Sequence, residues 1–235
     1  MAFSAAAIAQ NVVEVRQRIA AAAARGGRTA GEVTLIAVSK YVGIAEIRAL
    51  LEAGCTELGE SRPQQLWQRA EVLAGADVHW HLIGHLQRNK VRRTVPLAAM
   101  IHSADSPELI AALDQAATAC SLRIPILLEV NVSGETAKHG FAPAALDPLL
   151  ETLPGYRGVE VRGLMGMAAL EGGLEAARRD FAALRTLRDR LLGRVPEGVS
   201  LRELSMGMSG DYEVAIEEGA TLVRVGSALF GESVS

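Results

Sequence analysis

Aromatic residues, cysteine and lysine are scarce in this sequence, and the first two shortages each argue against a class of function. Aromatic residues make up 4% of the 235 residues, the formal net charge is −3, and the arginines are scattered along the chain. Nucleic-acid-binding proteins present a clustered basic face with aromatic side chains that stack on bases. We therefore expect no nucleic acid among the partners.

Only two cysteines occur, Cys55 and Cys120, and their spacing matches neither a metal nor a redox motif. This pattern is typical of a reducing compartment, so we expect two reduced, buried thiols in a cytoplasmic protein. Residues 1–24 lack the basic start of a signal peptide and contain polar interruptions, so we predict neither a signal peptide nor a membrane span there. Their apolar residues recur at helical spacing, which predicts an amphipathic N-terminal helix.

Short apolar runs alternate with longer amphipathic segments along the whole chain. Eight such runs occur, at residues 33–39, 56–59, 78–83, 100–103, 126–132, 161–167, 203–206 and 221–225. Strict alternation of strands and helices predicts a parallel sheet. A doubly wound sheet usually has a glycine-rich turn after its first strand, which this chain lacks. We predict an α/β fold, a single (β/α)8 TIM-type barrel with an extra N-terminal helix, forming one domain over residues 1–235.

Lysine is the scarcer basic residue, with three lysines against twenty-one arginines, and Lys40 ends the first predicted strand. A primary amine forms a Schiff base with an aldehyde, whereas a guanidinium does not. Functional groups in such barrels gather at the carboxyl ends of the strands. Asn131 and Met165 end the fifth and sixth predicted strands, so we place them on the same rim as Lys40. The alternative is a lysine that merely extends from a strand end to solvent.

Two segments rich in glycine and serine, residues 205–212 and 224–227, follow or end the seventh and eighth predicted strands. Barrels commonly bind phosphate with these two loops, where glycine lets the backbone approach the anion. The natural donors are Ser205, Ser209, Gly226 and Ser227. The alternative is a pair of tight turns in which Asp211 caps the next helix.

Arg224 lies within the last predicted strand and therefore needs a hydrogen-bond acceptor near the barrel mouth. A structural ion pair with Glu129 or Glu203 is one way to satisfy it. His79 and His81 share one face of the third predicted strand, but no acidic residue lies nearby in that segment. We therefore predict no metal site.

An amine on the first strand opposite a phosphate site on the last two strands fits a phosphorylated aldehyde bound at both ends. Pyridoxal 5′-phosphate (PLP) is the obvious ligand of this kind, and its ring would lie near Arg224. Two alternatives stay open from the residues alone. One is a PLP-dependent amino-acid racemase, and the other is a cofactor-free Schiff-base aldolase acting on a sugar phosphate.

Seven segments, in order along nearly the whole chain, resemble the pyridoxal phosphate homeostasis proteins. They are Ala37-Val38-Ser39-Lys40, Gly59-Glu60, Trp80-His81-Leu82-Ile83-Gly84-His85-Leu86-Gln87 with Asn89-Lys90, Val130-Asn131-Val132-Ser133 with Lys138 and Gly140, Arg162-Gly163-Leu164-Met165, Ser205-Met206-Gly207-Met208-Ser209 with Asp211, and Val223-Arg224-Val225-Gly226. The resemblance implies a barrel similar to the N-terminal domain of alanine racemase, with PLP bound as an internal aldimine to Lys40. Two departures stand out: Ser61 where the family often has Asn, and Tyr41 with Val42 and Gly43 after the lysine.

The resemblance further implies that Ser205, Gly207, Gly226 and Ser227 hold the phosphate and that Arg224 faces the pyridine nitrogen. The complete predicted cofactor-binding set is Lys40, Asn131, Met165, Ser205, Gly207, Ser209, Arg224, Gly226 and Ser227. An arginine at the ring nitrogen weakens the ring as an electron sink, and racemases take their second acid/base from a second domain. We therefore expect a monomer that stores PLP and delivers it to PLP-dependent apo-enzymes, with no catalytic residue and no robust turnover.

Overall fold

The computed structural model describes residues 3–135, 138–196 and 199–231, and its centre is a closed barrel of eight parallel strands in chain order. The strands are β1 (Thr34–Val38), β2 (Glu57–Glu60), β3 (His79–Leu82), β4 (Met100–Ala104), β5 (Ile124–Glu129), β6 (Val159–Met165), β7 (Glu203–Ser205) and β8 (Leu222–Val225). The barrel closes where β1 pairs with β8, with Ile36 opposite Arg224. The predicted (β/α)8 barrel is confirmed.

Helices follow the strands and surround the barrel. Within the described residues they are α1 (Ala5–Arg25), α2 (Ile44–Glu52), α3 (Pro63–Val72), α4 (Val91–Thr94), α5 (Pro107–Ala119), α6 (Leu146–Thr152), α7 (Gly173–Leu192), α8 (Tyr212–Glu217) and α9 (Ser227–Phe230). The extra N-terminal helix is α1, whose first turn is capped by the Ser4 hydroxyl accepting from the Ala7 amide at 3.2 Å. Its buried apolar stripe packs on the barrel side, and α1 contacts α2, α8 and α9.

The barrel interior contains a layer of large apolar side chains. These are Ile36, Met100, Leu127, Met165 and Leu222, each at most 6% exposed. Inward-facing side chains of alternate strands fill such barrels, so the interior is a packed core and not a pore. Leu222 and Arg224 alternate with outward-facing residues on β8, and Arg224 is likewise buried. The strand geometry therefore carries the charged Arg224 side chain into the barrel.

Both cysteines are free, but they differ in exposure, because Cys55 is buried and Cys120 is exposed. The expectation that both thiols are buried is therefore wrong for Cys120, which follows the last turn of α5. The structure also bears on the membrane prediction. Among the residues it describes, no helix combines the length and the apolar composition needed to cross a bilayer.

Candidate functional site

A cavity of about 710 Å³ opens among the loops at the carboxyl ends of the strands. Its volume lies in the range of small-molecule sites, on the order of 300–1,000 Å³. Five of the predicted binding residues line it: Lys40, Ser209, Arg224, Gly226 and Ser227. The amine after β1 and the two loops after β7 and β8 thus meet at one mouth, although they are far apart in sequence.

Buried polar groups fix the backbone on both sides of Lys40. The Arg69 guanidinium on α3 donates to the Ser39 carbonyl at 2.9 Å and to the Val42 carbonyl at 2.6 Å. Arg69 also pairs with the Glu60 carboxylate at the end of β2, and that carboxylate accepts a hydrogen bond from the Ser39 hydroxyl at 2.5 Å. Since Arg69 is 9% exposed and Glu60 is fully buried, this network holds the Lys40 turn rigidly.

Sequence reasoning gave Arg69 no role and named Glu60 only in the Gly59-Glu60 segment that resembles the family. A signal was available for Glu60, because a carboxylate at the end of a buried strand needs a partner. Burial raises the pKa of Glu60, against the opposing effects of the Ser39 hydroxyl and Arg69. No local sequence pattern pairs it with Arg69, which lies two turns into α3.

Ser209 joins the two loops of the predicted phosphate site. Its hydroxyl oxygen accepts from the Gly226 amide at 3.0 Å and from the Ala228 amide at 3.4 Å. Asp211 holds the same loop by accepting from the Met208 amide at 2.6 Å. The hydroxyl of Ser209 and the backbone of Gly226 and Ser227 therefore lie together on the cavity wall, in an arrangement suited to an anion.

Arg224 lines the cavity and is 4% exposed. Its guanidinium donates to the Ser205 hydroxyl oxygen at 2.6 Å and to the Gly166 carbonyl at 3.1 Å. These acceptors replace the carboxylate partners considered from sequence. Burial lowers the pKa of Arg224 to about 10, against the opposing charges of Asp211 and Glu129. Arg224 is thus a buried cation, and its hydrogen bonds to Ser205 and Gly166 set the orientation of its guanidinium.

Four other predicted residues do not line the cavity. Ser205, at the end of β7, is fully buried, and its hydroxyl contacts Arg224 and the His102 Nδ1 atom, the latter at 2.8 Å. Met165 belongs to the apolar layer inside the barrel. The strand ends explain both positions, because inward-facing residues of β6 and β7 pack into the core.

Asn131 and Gly207 stabilise the loops in which they lie. The Asn131 amide group donates to the Glu135 carbonyl at 2.8 Å, and its side-chain oxygen accepts from the Gly134 amide at 3.0 Å. Gly207 has a φ of +91°, and a β-carbon there would lie 2.5 Å from the Ala215 Cβ. Glycine at 207 is therefore required for the turn and for packing against α8.

Glu129, at the end of β5, lines the cavity and was considered from sequence only as a partner of Arg224. Burial and the neighbouring Asp105 carboxylate raise its pKa to about 7, while Arg224 and His85 act in the opposite direction. A carboxyl group with this pKa exchanges protons near neutral pH. A sequence pattern does not reveal this raised pKa, because the shift depends on how deeply the carboxyl group is buried.

The histidines at the cavity mouth do not form a convergent metal site. His85, Asp105 and His139 are the one trio of ligating side chains within 4.8 Å among the described residues. The two imidazole rings stack with centroids 4.3 Å apart and planes 15° apart. Nitrogen lone pairs lie in the ring plane, so nearly parallel rings cannot both direct them at one ion. The His85 Nδ1 atom instead lies 2.9 Å from an Asp105 oxygen, which accounts for the cluster.

His79 and His81 have the acidic neighbour that their own segment lacks. The Glu57 carboxylate, from the adjacent strand β2, lies 2.7 Å from the His79 Nδ1 atom and 2.6 Å from the His81 Nε2 atom. The argument from the local segment was therefore incomplete, since the partner comes from the neighbouring strand. The absence of a metal ligand set here remains a prediction.

Comparison with known proteins identifies the family. The family model "Alanine racemase, N-terminal domain" matches residues 4–234. A pyridoxal phosphate homeostasis protein of Aquifex aeolicus is 40% identical over 223 residues, covering 95% of this chain and 97% of that protein. The chain belongs to the pyridoxal phosphate homeostasis protein family. The solved structure of PipY of Synechococcus elongatus with PLP bound superimposes with a TM-score of 0.84 at 35% identity, over 95% of this chain and all of that one.

A more distant likeness shows the fold alone. An alanine racemase of Streptomyces lavendulae gives a TM-score of 0.77 at 22% identity, covering 99% of this chain but 59% of the racemase. The shared part is the barrel. Ser61 and Tyr41, at which this chain departs from the pattern of the pyridoxal phosphate homeostasis proteins, both line the cavity. Tyr41 has a φ of +73° and is 82% exposed, beside Lys40.

Proposed function

We propose that this protein binds PLP as a Schiff base on Lys40 and serves intracellular PLP homeostasis by storing and delivering it. One observation carries the proposal: Lys40, the Ser209 and Gly226 loops and the buried Arg224 line a single cavity. The family relationship and the PLP-bound PipY structure support it. We take residues 1–235 as one PLP-binding domain.

The residues of the cavity fit PLP group by group. Lys40 supplies the amine for the aldehyde, and the wall formed by Ser209, Gly226 and Ser227 suits the phosphate. Arg224 has only donors, so it suits an unprotonated ring nitrogen as acceptor. Ser205 and Gly207 were predicted as phosphate ligands. In this proposal Ser205 holds Arg224, and Gly207 shapes the loop that carries Ser209. Asn131 stabilises its own loop, and Met165 belongs to the floor of the cavity.

The covalent link suits storage because it is reversible. The Lys40 amine adds to the aldehyde carbon, a carbon–nitrogen double bond forms and water leaves; water attack on the same bond restores the amine and free PLP. When bound, PLP supplies a reactive carbonyl and an electron-accepting ring. We propose PLP-dependent apo-enzymes as recipients and the cytoplasm as the location. We propose a monomer as the working unit.

Robust turnover is not part of the proposal. Racemisation needs a second acid/base across the ring from the lysine. Of the three tyrosines, only Tyr41 lines the cavity, and its ring centre lies 5.5 Å from the Lys40 amine on the same loop. Glu129 also lines the cavity, so it is the residue to test for any residual proton transfer. Arg224 at the ring nitrogen weakens the electron sink that such chemistry requires.

The test is the colour of the purified protein and the site of its reduction. We expect a yellow protein whose visible band disappears with borohydride, leaving a stable adduct that mass spectrometry maps to Lys40. Lys40→Arg keeps the positive charge but lacks the primary amine, so we expect it to be colourless. Lys90→Arg makes the same change at a lysine outside the cavity lining and should stay yellow.

Two outcomes would redirect the interpretation. A colourless wild-type protein that forms a borohydride adduct with a sugar phosphate would favour the aldolase. A yellow protein that racemises alanine or serine steadily at ordinary enzyme rates would favour the racemase. Ser209→Ala should remain yellow with PLP but bind it roughly 10-fold more weakly, since it removes one hydroxyl from the phosphate wall. Its affinity for pyridoxal, which lacks the phosphate, should be unchanged.

A further inference from the structure

A chain of buried polar side chains crosses the barrel from the cavity to the opposite rim. Ser205 on β7 contacts His102 on β4 at 2.8 Å between the hydroxyl oxygen and Nδ1. The His102 Nε2 atom lies 2.8 Å from the His81 Nδ1 atom on β3, and the His81 Nε2 atom lies 2.6 Å from a Glu57 oxygen. Arg224 completes the chain at the cavity end through its 2.6 Å hydrogen bond to Ser205.

The chemistry of the partners fixes the direction of every hydrogen bond. Arg224 can only donate, so the Ser205 oxygen accepts from it and the Ser205 proton goes to the His102 Nδ1 atom. Neutral His102 then carries its proton on Nε2 and donates to the His81 Nδ1 atom. His81 in turn donates from Nε2 to the Glu57 carboxylate. The reverse arrangement would leave the Ser205 proton without an acceptor among these partners.

The protonation states along the chain agree with this direction. Burial is the largest cause that lowers the pKa of His102 well below its ordinary value, and the Arg224 charge acts in the same sense, so His102 is neutral. Burial alone would raise the pKa of Glu57, but hydrogen bonds from His81 and His79 outweigh it, and the pKa lies below its ordinary value. The chain therefore runs from a cation at the cavity to an anion at the far rim. Glu129 and Asp211 are the other charges acting on Arg224.

We propose that Ser205, His102 and His81 are positioning residues that hold the Arg224 guanidinium toward the ring nitrogen of bound PLP and keep that nitrogen unprotonated. The proposal rests on the PLP-binding function above and extends it to residues outside the cavity lining. A guanidinium needs two fixed acceptors to define its plane, and Arg224 has them in Ser205 and Gly166. Loss of the Ser205 contact would free it to turn toward Glu129 or Asp211.

The experiment measures the protonation state of the ring nitrogen. PLP labelled with ¹⁵N in the ring is bound to the protein, and its ¹⁵N signal and visible band are recorded across a pH series. In the wild-type protein we expect an unprotonated ring nitrogen at every pH where the protein is folded. Ser205→Ala, which removes a single oxygen, and His102→Leu, which breaks both central links, should still give the Lys40 borohydride adduct. Their ring nitrogen should become partly protonated with a pH dependence, and PLP affinity should fall roughly 10-fold.

Two further variants separate positioning from packing. His102→Asn keeps an acceptor for the Ser205 hydroxyl and should restore the wild-type ¹⁵N signal at least in part. His79→Gln alters the other histidine that contacts Glu57, leaves the chain intact and should match the wild type. If His102→Leu does not fold, Ser205→Ala alone decides.

The possible failures are distinguishable. A wild-type protein that takes up no PLP rejects the proposed function, and this inference with it. A PLP-bound wild type with a protonated ring nitrogen, or a Ser205→Ala variant with the wild-type ¹⁵N signal and pH profile, rejects the positioning role alone.

Discussion

Replacement of Glu129 by glutamine tests the electrostatics of the cavity through protein stability. Glu129 is 5% exposed, and burial with the Asp105 charge raises its pKa to about 7, against an ordinary value of 4.5. Between about pH 4.5 and about pH 7, therefore, Glu129 is mostly protonated in the folded protein and mostly ionised in the unfolded chain. Stability is unaffected by this group below about pH 4.5 and falls as the pH rises toward 7.

The size of the effect follows from the shift. Each pKa unit corresponds to about 1.4 kcal/mol, so ionised Glu129 destabilises the fold by about 3 kcal/mol well above pH 7. Between about pH 5.5 and about pH 8 the change is about 2 kcal/mol. For a protein of this size that amounts to roughly 4–8 °C in Tm. Glu129→Gln carries no such charge, so its Tm advantage over the wild type should widen by that amount as the pH rises.

The assay is thermal unfolding of the PLP-free protein across a pH series, because bound cofactor would add charges of its own. Hydroxylamine removes the aldehyde from wild type and variant alike. Glu151→Gln makes the same chemical change at an exposed position, and its Tm difference from the wild type should stay flat. Parallel Tm curves for Glu129→Gln and the wild type would refute the reasoning, since they would show that Glu129 titrates alike in the folded and unfolded states.

Two further substitutions test the supports of the cavity. Gly207→Ala should lower the free energy of unfolding by about 2–4 kcal/mol in chemical denaturation, because φ is +91° and the new carbon would lie 2.5 Å from the Ala215 Cβ. Gly27→Ala is the control: φ is +71° but the space around it is open, so it should cost only about 1 kcal/mol. Arg69→Leu leaves the buried Glu60 carboxylate without its cation and should lower stability by about 3–5 kcal/mol, whereas an unchanged Tm would show that the pair contributes nothing.

The barrel could be predicted from the sequence because its strands and helices alternate without a break. The strand ends were predicted to within two residues except at the carboxyl end of β5, where the prediction runs three residues too far. Ser205 was predicted both to lie in the seventh strand and to donate to a phosphate from the loop that follows it. A phosphate-binding loop beginning there would present its hydroxyl to the cavity, but β7 extends through Ser205, and strand alternation turns the side chain into the barrel. Ser209, four residues later, is the serine that reaches the cavity wall.

The unpredicted parts of the site depend on partners that lie far apart in sequence. Arg69 holds the Lys40 turn from a neighbouring helix, and the pKa of Glu129 depends on burial and on Asp105. His81 looked like an incomplete metal ligand because its acceptor, Glu57, lies on another strand. Local spacing identifies residues that chemistry needs at strand ends. It does not show which polar residue each of them contacts once the barrel closes.

The structure separates the buried, hydrogen-bonded part of the cavity from its open part, as the storage role that we propose requires. Buried networks fix both reactive ends, Arg69 beside Lys40 and Ser205 beneath Arg224. The rim is different, since Tyr41 is 82% exposed and Leu170 is 89% exposed. Enzyme sites gain from excluding water, whereas release of an aldehyde from a Schiff base requires water to reach the bond. A rigid floor gives affinity, and an open rim lets the bound molecule leave.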